Sequence, residues 1–381
     1  MSTTTNFNTL TEVATHFRKD LTGDNRHEKR LILFFAHNGT GKTRLSMEFK
    51  EMGKTINPPR DTLYFNAFTE DLFVWNNDLD NDTERVLTFN KDSAFFDGLQ
   101  ELEMETKIGS LFQNYVNLSF IIDYDNYTVV FSRSIINEGG NEETIDNIKI
   151  SRGEENLFIW CFFIAICEVA IDQVNSDEDT GAYNWVKFIY IDDPISSLDE
   201  NKAVAVACDL GNLIKREDNK IKTVVSTHHS LFFNVMFNEL RRKVKNKSYY
   251  LHSKDTETYT LQDTGDVPFF HHIAIISQLK KVVASDNIYT HHFNTLRSIL
   301  EKTASFFGYD KIDKCIHGLE DEVLFERALN LFSHGKYSIF DPREMGADNK
   351  DLFKRIFNGF LEKYEFYLPE IFNEETETVK E

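Results

Sequence analysis

Cysteine is scarce in this chain of 381 residues, and its spacing fits neither C-x-x-C nor a disulfide framework. This scarcity predicts a reducing compartment and no zinc site. The four cysteines are Cys161, Cys167, Cys208 and Cys315. The first ten residues lack a basic start and an apolar core, which predicts no signal peptide. The longest apolar run, 157–171, is shorter than a membrane span and contains Glu168, so we expect a cytoplasmic protein.

Basic residues are also fewer than acidic ones: the chain has 42 lysines and arginines and 62 aspartates and glutamates, and its formal net charge is −20. The chain as a whole therefore repels a polyanion, and any nucleic-acid site has to be local. The segment 241–314 is the exception, with twelve lysines or arginines against eight acidic residues. With 41% apolar residues and 34 phenylalanines, the chain is long enough for two moderate cores. We predict one domain over residues 1–240 and a second over 241–381.

Heptads and internal repeats are missing, which excludes long coiled-coil arms. What is present is a buried strand at 31–35, the loop "AHNGTGKT" at 36–43 and a helix that starts near Lys42. Glycines in such a loop let backbone amides converge on a phosphate, the lysine reaches the β and γ oxygens, and the threonine hydroxyl binds Mg²⁺. Ala36 stands where the usual pattern has its first glycine. The predicted nucleotide-binding residues are Asn38, Gly39, Thr40, Gly41, Lys42 and Thr43.

Two further buried strands are predicted, over 187–191 and 223–226, with a helix around 203–215 between them. Strands that alternate with helices indicate an α/β fold with a parallel sheet. The strand at 187–191 leads into Asp192 and Asp193, at the edge of the sheet where the phosphate loop also lies. We expect Asp192 to hold Mg²⁺ through water and Asp193 to polarise the attacking water.

Four motifs occur in a fixed order: N-G-x-G-K-T, then S-x-G-E, then four apolar residues before D-D-P-x-S-S-L-D, then S-T-H-H. This order resembles ATP-binding-cassette (ABC) ATPases of the Rad50, RecF and SMC branch. The resemblance implies an ABC/Rad50-like P-loop domain in which two nucleotides bridge a dimer. It implies a signature of Ser151, Gly153 and Glu154, a D-loop with Ser196, Ser197 and Asp199, and a γ-phosphate sensor, His228. Most of this class has glutamate where Asp193 stands, which implies slow turnover, and we expect His229 to serve packing.

The second half contains a helical segment in which Arg297 and Glu301 have i, i+4 spacing and therefore share a face. Alone, this pair is typical of an ordinary surface ion pair, and His334 before a glycine is typical of a helix end. Together with "NAFTEDLF" and "EKTASFFGY", however, these segments resemble the PrrC-type anticodon nucleases of bacteria over about residues 30–340.

This second resemblance implies an ATPase domain that controls a mostly α-helical tRNA anticodon nuclease domain. Such enzymes cut the anticodon loop and leave a 2′,3′-cyclic phosphate and a 5′-hydroxyl. It implies that Arg297, Glu301 and His334 are catalytic, and that Asp266 lies in the segment that recognises the anticodon. A type I restriction-modification complex as silencing partner, and a role in antiviral defence, are implied as well.

The side chains suit metal-independent RNA cleavage, which needs a base, an acid and a cation for the phosphorane charge. Glu301 as base, His334 as acid and Arg297 as cation satisfy that need, and the base and acid can be exchanged. The expected cofactors are ATP or GTP with Mg²⁺, and the expected partners are tRNA and further copies of the chain.

Two alternatives remain open. A DNA-repair or overcoming-lysogenisation (OLD) type ATPase would need a glutamate and a D-x-D pair for a Toprim nuclease, and no D-x-D follows residue 240. The other alternative is an ATP-switched binding module, in which Arg297 and Glu301 are only structural. A tRNA cleavage assay without magnesium separates all three.

Overall fold

The computed structural model of the chain consists of two compact units, Thr3–Pro268 and Phe269–Glu381. It describes residues 4–23, 28–55, 60–66, 72–76, 85–91, 93, 96, 104–137, 140–176, 181–195, 198–253, 258–265, 271–316, 344–364 and 366.

The first unit contains twelve described strands and six described helices. The strands are β1 (Thr4–Phe7), β2 (Leu31–Phe35), β3 (Thr62–Asn66), β4 (Phe73–Asn76), β5 (Val86–Phe89), β6 (Ser119–Asp123), β7 (Thr128–Ile136), β8 (Glu142–Ile145), β9 (Phe188–Asp192), β10 (Lys222–Thr227), β11 (Asn246–Ser253) and β12 (Tyr259–Asp263). The helices are α1 (Leu10–Thr22), α2 (Lys42–Lys54), α3 (Met104–Phe112), α4 (Arg152–Asn175), α5 (Glu200–Lys215) and α6 (Ser230–Leu240).

A seven-stranded sheet with the order β1-β12-β11-β2-β10-β9-β3 forms the centre of this unit. The five strands from β11 to β3 are parallel, and β12 and β1 add an antiparallel edge. Strands β2 and β9 are buried at every position, as expected for central parallel strands covered on both faces. Side chains of β2 alternate accordingly: Phe34 contacts Phe17 of α1, and Phe35 contacts Phe233 of α6. The predicted α/β fold with a parallel sheet is therefore confirmed.

A second, antiparallel sheet has the order β4-β5-β7-β6, and β8 pairs with β7. Helix α4 contributes many of the buried aromatic side chains near this sheet, and Phe158 packs against Phe131 of β7. Among the described residues, α4 alone has the length and apolar character to cross a bilayer, but 78% of its most apolar stretch is buried inside the protein. Such burial is typical of a core helix.

The described part of the second unit is helical. Its elements are α7 (His271–Ser285), α8 (Thr290–Phe307), a 3₁₀ turn (Ile312–Cys315) and α9 (Ala347–Lys363). Helix α8 ends at Gly308, whose φ of 71° is left-handed and so suits glycine. Phe293 of α8 packs against Phe353 of α9.

The boundary between the units differs from the predicted one after residue 240. Strands β11 and β12 belong to the first unit, because β11 pairs in parallel with β2 and β12 pairs with β11. The prediction followed the shift to basic residues at Arg241, but charge on a surface turn does not mark a domain boundary. Tyr249, Tyr250 and Leu251 form a short continuous apolar run that is buried, and this run is the signal that identifies a strand of the core.

A buried ion pair connects α1 to the segment before β3. Arg18 donates two hydrogen bonds to the carboxylate of Asp61, at 2.7 and 3.0 Å, and a third to the carbonyl oxygen of Phe49, at 2.6 Å. The Asp61 side chain is only 2% exposed, and the guanidinium also lies 4.4 Å from the centre of the Phe49 ring. Because the guanidinium is so enclosed, loss of its carboxylate leaves an uncompensated charge inside the unit.

We therefore expect Asp61→Ala to lower the free energy of unfolding of this unit by about 3–5 kcal/mol. Urea unfolding, monitored by tryptophan fluorescence, measures this free energy. All three tryptophans, Trp75, Trp160 and Trp185, lie in the first unit. Glu51→Ala, which breaks an exposed pair with Lys54, serves as the control and should change stability far less. Equal effects of the two substitutions would contradict the role of the Arg18 pair.

Candidate functional site

The loop between β2 and α2 has the geometry of a phosphate-binding loop. Gly39 and Gly41 have φ values of 84° and 102°, which residues other than glycine rarely adopt. These two residues turn the chain so that α2 begins at Lys42 directly after the loop. The Lys42 ammonium is buried and donates to the Ala36 carbonyl oxygen at 3.2 Å and to Asn38 Oδ1 at 3.1 Å. Thr40 donates its N–H to the His37 carbonyl oxygen and closes the turn.

This loop fits the phosphates of a nucleotide. Gly41 precedes α2 without a side-chain cap, so the first N–H groups of α2 and the positive end of its dipole point out of the helix. A Cβ at Gly39 would meet no atom within 4 Å, which leaves the outer side of the loop open. A nucleoside triphosphate bound there with Mg²⁺ would supply a phosphoanhydride bond, held by Lys42, Thr43 and the backbone amides of the loop.

Asp192 ends β9 beside this loop and accepts hydrogen bonds from two hydroxyl groups. Thr43 Oγ1 donates to one carboxylate oxygen at 2.8 Å, and Ser226 Oγ donates to the other at 2.5 Å. Ser226 is available because β9 and β10 pair in parallel with Ser226 opposite Asp192. Burial raises the pKa of Asp192, the two hydroxyls oppose that effect, and the charge of Asp193 adds to it. Thr43 and Asp192 together form the oxygen pair expected to hold Mg²⁺.

Asp193 is held in a different environment, although it is the next residue. Its φ of 54° is left-handed and turns its carboxylate toward His228 and Lys42. His228 Nδ1 lies 2.5 Å from Asp193 Oδ2, the His228 N–H donates to Oδ1 at 3.2 Å, and Lys42 Nζ lies 3.5 Å away. Burial opposes ionisation, but the hydrogen bond from His228 and the charge of Lys42 outweigh it and lower the pKa of Asp193. Lys42, Asp193 and His228 therefore form one connected network.

The predicted signature residues begin α4. Ser151 is the N-cap: its hydroxyl accepts from the Glu154 N–H at 3.3 Å, and Glu154 Oε2 accepts from the Ser151 N–H at 2.8 Å. Gly153 lies between them in the first turn. The second oxygen of Glu154 accepts from Arg133 of β7 at 2.8 Å. Burial opposes ionisation of Glu154, but the Ser151 hydrogen bonds and the charges of Arg133 and Lys202 lower its pKa.

Asp199, from the predicted D-loop, is the N-cap of α5 and accepts from the Lys202 N–H at 2.9 Å. Lys202 also influences Glu154, so the signature and the end of the D-loop are electrostatic neighbours within one chain. Ser196 and Ser197 lie outside the described residues. His229 caps α6 by accepting from the Phe232 N–H at 3.3 Å. This contact gives His229 a helix-capping role, whereas the prediction for it was packing.

In the second unit, Arg297 and Glu301 lie on one face of α8. Arg297 Nε donates to Glu301 Oε1 at 2.7 Å, and the two side chains are 21% and 49% exposed. His334 and Asp266 lie outside the described residues. The structure thus pairs two of the three predicted catalytic side chains and describes neither the third nor the predicted recognition residue.

Three contacts at the site were not predicted. Ser226 was assigned only to a strand, because its contact with Asp192 depends on how β9 and β10 align. Tyr64 of β3 lies 3.5 Å from Asp192, and burial together with this carboxylate raises the pKa of Tyr64 to about 12. The hydrogen bond from Arg133 to Glu154 was not predicted either. The capping role of Glu154 had a local signal, since S-x-x-E before an apolar run is a capping box.

Within the described part of the chain, no cluster of three or more histidine, cysteine, aspartate or glutamate side chains is placed to hold a metal ion. Comparison with known proteins gives two matches. A family profile described as "AAA domain" matches residues 103–361. The chain is also 35% identical over 335 residues to a protein of Escherichia coli named "Anticodon nuclease", with 81% of this chain and 83% of the relative covered.

The opposite pKa shifts of the two aspartates predict opposite effects on stability. The pKa of Asp192 is raised in the fold, so its ionised form destabilises the folded state at neutral pH, and stability rises as pH falls through that pKa. The pKa of Asp193 is lowered, so its ionised form stabilises the fold until pH falls through that lowered pKa.

We therefore expect Asp192→Asn to raise the thermal unfolding midpoint of the nucleotide-free protein at pH 7 by a few degrees, and Asp193→Asn to lower it. The two substitutions are matched controls, because the residues are adjacent and the chemical change is the same. Shifts of the same sign would contradict this account of the site.

Proposed function

Since the chain belongs to the anticodon nuclease family and contains an AAA domain, we propose that it cuts a tRNA in its anticodon loop under the control of a bound nucleotide. The two matches identify the chain as an ATPase-linked anticodon nuclease. The observation that carries the proposal is the 35% identity to an anticodon nuclease over 81% of this chain, and the Arg297–Glu301 pair on α8, at 2.7 Å, is where we place the cleavage reaction. Proximity of a carboxylate and a guanidinium suits cleavage of a phosphodiester by the adjacent 2′-hydroxyl.

In the proposed reaction, Glu301 takes the proton of the 2′-hydroxyl, and the 2′-oxygen then attacks the neighbouring phosphorus. The bond from phosphorus to the 5′-oxygen breaks, and His334 protonates that leaving oxygen. The products are a 2′,3′-cyclic phosphate and a 5′-hydroxyl. Arg297 neutralises the charge of the phosphorane with a planar donor group that remains protonated. The roles of Glu301 and His334 can be exchanged without changing the products.

Nucleotide control is proposed to act through the network of Lys42, Asp193 and His228. Lys42 binds loop carbonyl oxygens and Asp193, and a phosphate group would compete with both for its ammonium. A change in the partner of Lys42 therefore alters the charge around Asp193 and His228. We assign Asp193 to positioning the hydrolytic water and His228 to sensing the γ-phosphate. ATP or GTP with Mg²⁺ is the proposed cofactor.

The proposed assembly is a dimer, or a higher oligomer of such dimers, in which the Ser151–Glu154 turn of one chain faces the nucleotide of another. The capping box and the Arg133 hydrogen bond support this role, because they hold the turn in place without using the Gly153 backbone. A cytoplasmic location, silencing by a type I restriction-modification complex and a role in antiviral defence complete the proposal.

Mixing two inactive variants tests the assembly. Lys42→Ala removes the ammonium that reaches the phosphates, and Gly153→Asp places a carboxylate where the signature would face them. Each variant alone should lose nucleotide-dependent activity. A mixed dimer retains one site built from the intact loop of one chain and the intact signature of the other, so equal mixing should restore about a quarter of the sites. If each site uses only one chain, mixing restores nothing and the proposed assembly is wrong.

A second test concerns cleavage itself. Glu301→Ala should slow tRNA cleavage by about a hundredfold or more, the usual scale for loss of a general base. Arg297→Lys should also lose tRNA cleavage, because the point charge of a lysine does not replace the planar, two-pronged donor group of an arginine. His334→Ala should match Glu301→Ala, and nucleotide binding should be unchanged in all three. Asp310→Ala, which breaks another i, i+4 ion pair in the same unit, is the control and should cut normally.

The same assay tests independence from metal. After the protein has been activated with nucleotide and Mg²⁺, a chelator is added together with the tRNA, and the first round of cleavage is followed. We expect cleavage to continue, because the proposed acid, base and cation are side chains. A requirement for Mg²⁺ in the cleavage step, or normal cleavage by all three variants, would contradict the proposed site.

A further inference from the structure

The end of β10 lies against both aspartates of the nucleotide site. Ser226 donates its hydroxyl to Asp192 Oδ1 at 2.5 Å, and its carbonyl oxygen accepts the Asp193 N–H at 3.0 Å. Thr227 Oγ1 donates to Asp193 Oδ1 at 3.4 Å, and the His228 N–H donates to the same oxygen at 3.2 Å. Ser226 thus bonds to both aspartates, to one through its side chain and to the other through its backbone.

The register of the sheet places Ser226 in this position. Strands β9 and β10 are parallel, and Ser226 is opposite Asp192, so the two side chains lie on the same face of the sheet. Ser226 is 0% exposed and Asp192 is 1% exposed. A carboxylate only accepts hydrogen bonds, and a carboxylate removed from water needs donors from the protein to remain charged. The neighbouring strand therefore supplies a donor to Asp192 in place of water.

The two oxygens of Asp192 have different partners. Among the described residues, Thr43 and Tyr64 bond to Oδ2, with their hydroxyl oxygens at 2.8 and 3.5 Å, and Ser226 bonds to Oδ1. The Tyr64 distance is at the long limit of a hydrogen bond. Thr43 and Ser226 therefore hold the carboxylate at its two oxygens. Loss of the Ser226 hydroxyl removes this donor from Oδ1 and allows the carboxylate to turn away from Thr43.

We propose that Ser226 is a positioning residue for the Mg²⁺ of the bound nucleotide and that it acts through Asp192. Thr43 has one hydroxyl proton, and while Asp192 Oδ2 accepts this proton, the lone pairs of the Thr43 oxygen remain available to a cation. Ser226 keeps Oδ2 in place for that contact because it fixes the other oxygen. This inference rests on the proposed cofactor, a nucleoside triphosphate with Mg²⁺, and is independent of the tRNA cleavage step.

A purely structural role of Ser226 would have a different consequence. A buried hydroxyl that only satisfies a carboxylate stabilises the fold, and its loss lowers nucleotide affinity equally with and without Mg²⁺. A positioning role affects only the part of nucleotide binding that depends on Mg²⁺. The proposed phosphate contacts of Lys42 and the loop amides do not involve Asp192 Oδ1, so these contacts remain when the Ser226 hydroxyl is removed.

The test measures binding of fluorescent analogues of ATP and GTP to the full-length chain, in a series of Mg²⁺ concentrations and in a chelator. Ser226→Ala should raise the Mg²⁺ concentration needed for half-maximal binding by about 10- to 100-fold, the usual cost of losing a partner of a metal-binding side chain. Affinity in the chelator should stay close to that of the wild-type chain. Thr223→Val, at another buried hydroxyl residue of β10, is the matched control and should leave the Mg²⁺ requirement unchanged.

Further variants show whether the hydroxyl acts through Asp192. Ser226→Thr keeps the hydroxyl and should require much less Mg²⁺ than Ser226→Ala. Asp192→Asn should raise the Mg²⁺ requirement by itself, and Ser226→Ala added to Asp192→Asn should raise it no further, because the side chain on which the hydroxyl acts is already altered. Thermal unfolding of each variant without nucleotide reports separately on the stability of the fold.

Several results would overturn the inference while the proposed cofactor survives. The Mg²⁺ requirement of Ser226→Ala could equal that of the wild-type chain, or its affinity could fall equally with and without Mg²⁺. Equal losses in Ser226→Thr and Ser226→Ala, or additive losses in Ser226→Ala and Asp192→Asn, would also contradict it. If the wild-type chain binds neither analogue, or binds both without any effect of Mg²⁺, the proposed cofactor itself fails together with this inference, and that outcome is distinct from the others.

Discussion

Two neighbouring carboxylates at the end of a buried strand are the constraint on which the nucleotide site depends. Asp192 is buried and the Asp193 side chain is only 17% exposed, so both carboxylates depend on partners within the protein, and those partners differ. Hydroxyls from β10 and α2 satisfy Asp192, while an ammonium and an imidazole satisfy Asp193. The left-handed backbone at Asp193 turns the second carboxylate away from the first. Their pKa values shift in opposite directions as a result.

The same constraint links the strands to the phosphate loop. Thr43 and Lys42 each contribute to one carboxylate, so the loop is held by the end of β9 as well as by its own turn. His228 follows β10 and completes the network from the other side. Side-chain contacts of this site therefore join the ends of three strands, β2, β9 and β10, whose backbones are already paired.

Much of this arrangement was predictable from the sequence, because it follows from local patterns. The glycine loop, the strand that ends in Asp192 and the i, i+4 spacing of Arg297 and Glu301 are short-range signals with a direct physical meaning. The contact of Ser226 with Asp192 was not predictable in the same way, since it depends on the register between strands far apart in sequence. The domain boundary was misplaced because a run of basic residues on a turn was given more weight than the short buried apolar run of β11.

The central claim is that this chain breaks a tRNA in its anticodon loop. Mapping the ends of all cellular tRNAs after expression of the wild-type chain, and in parallel of the Glu301→Ala chain, tests it most directly. We expect new fragments that end within one anticodon loop, with a cyclic phosphate on one side and a 5′-hydroxyl on the other, in cells with the wild-type chain alone. Intact tRNAs in cells where the wild-type chain is folded and active in nucleotide hydrolysis would contradict it.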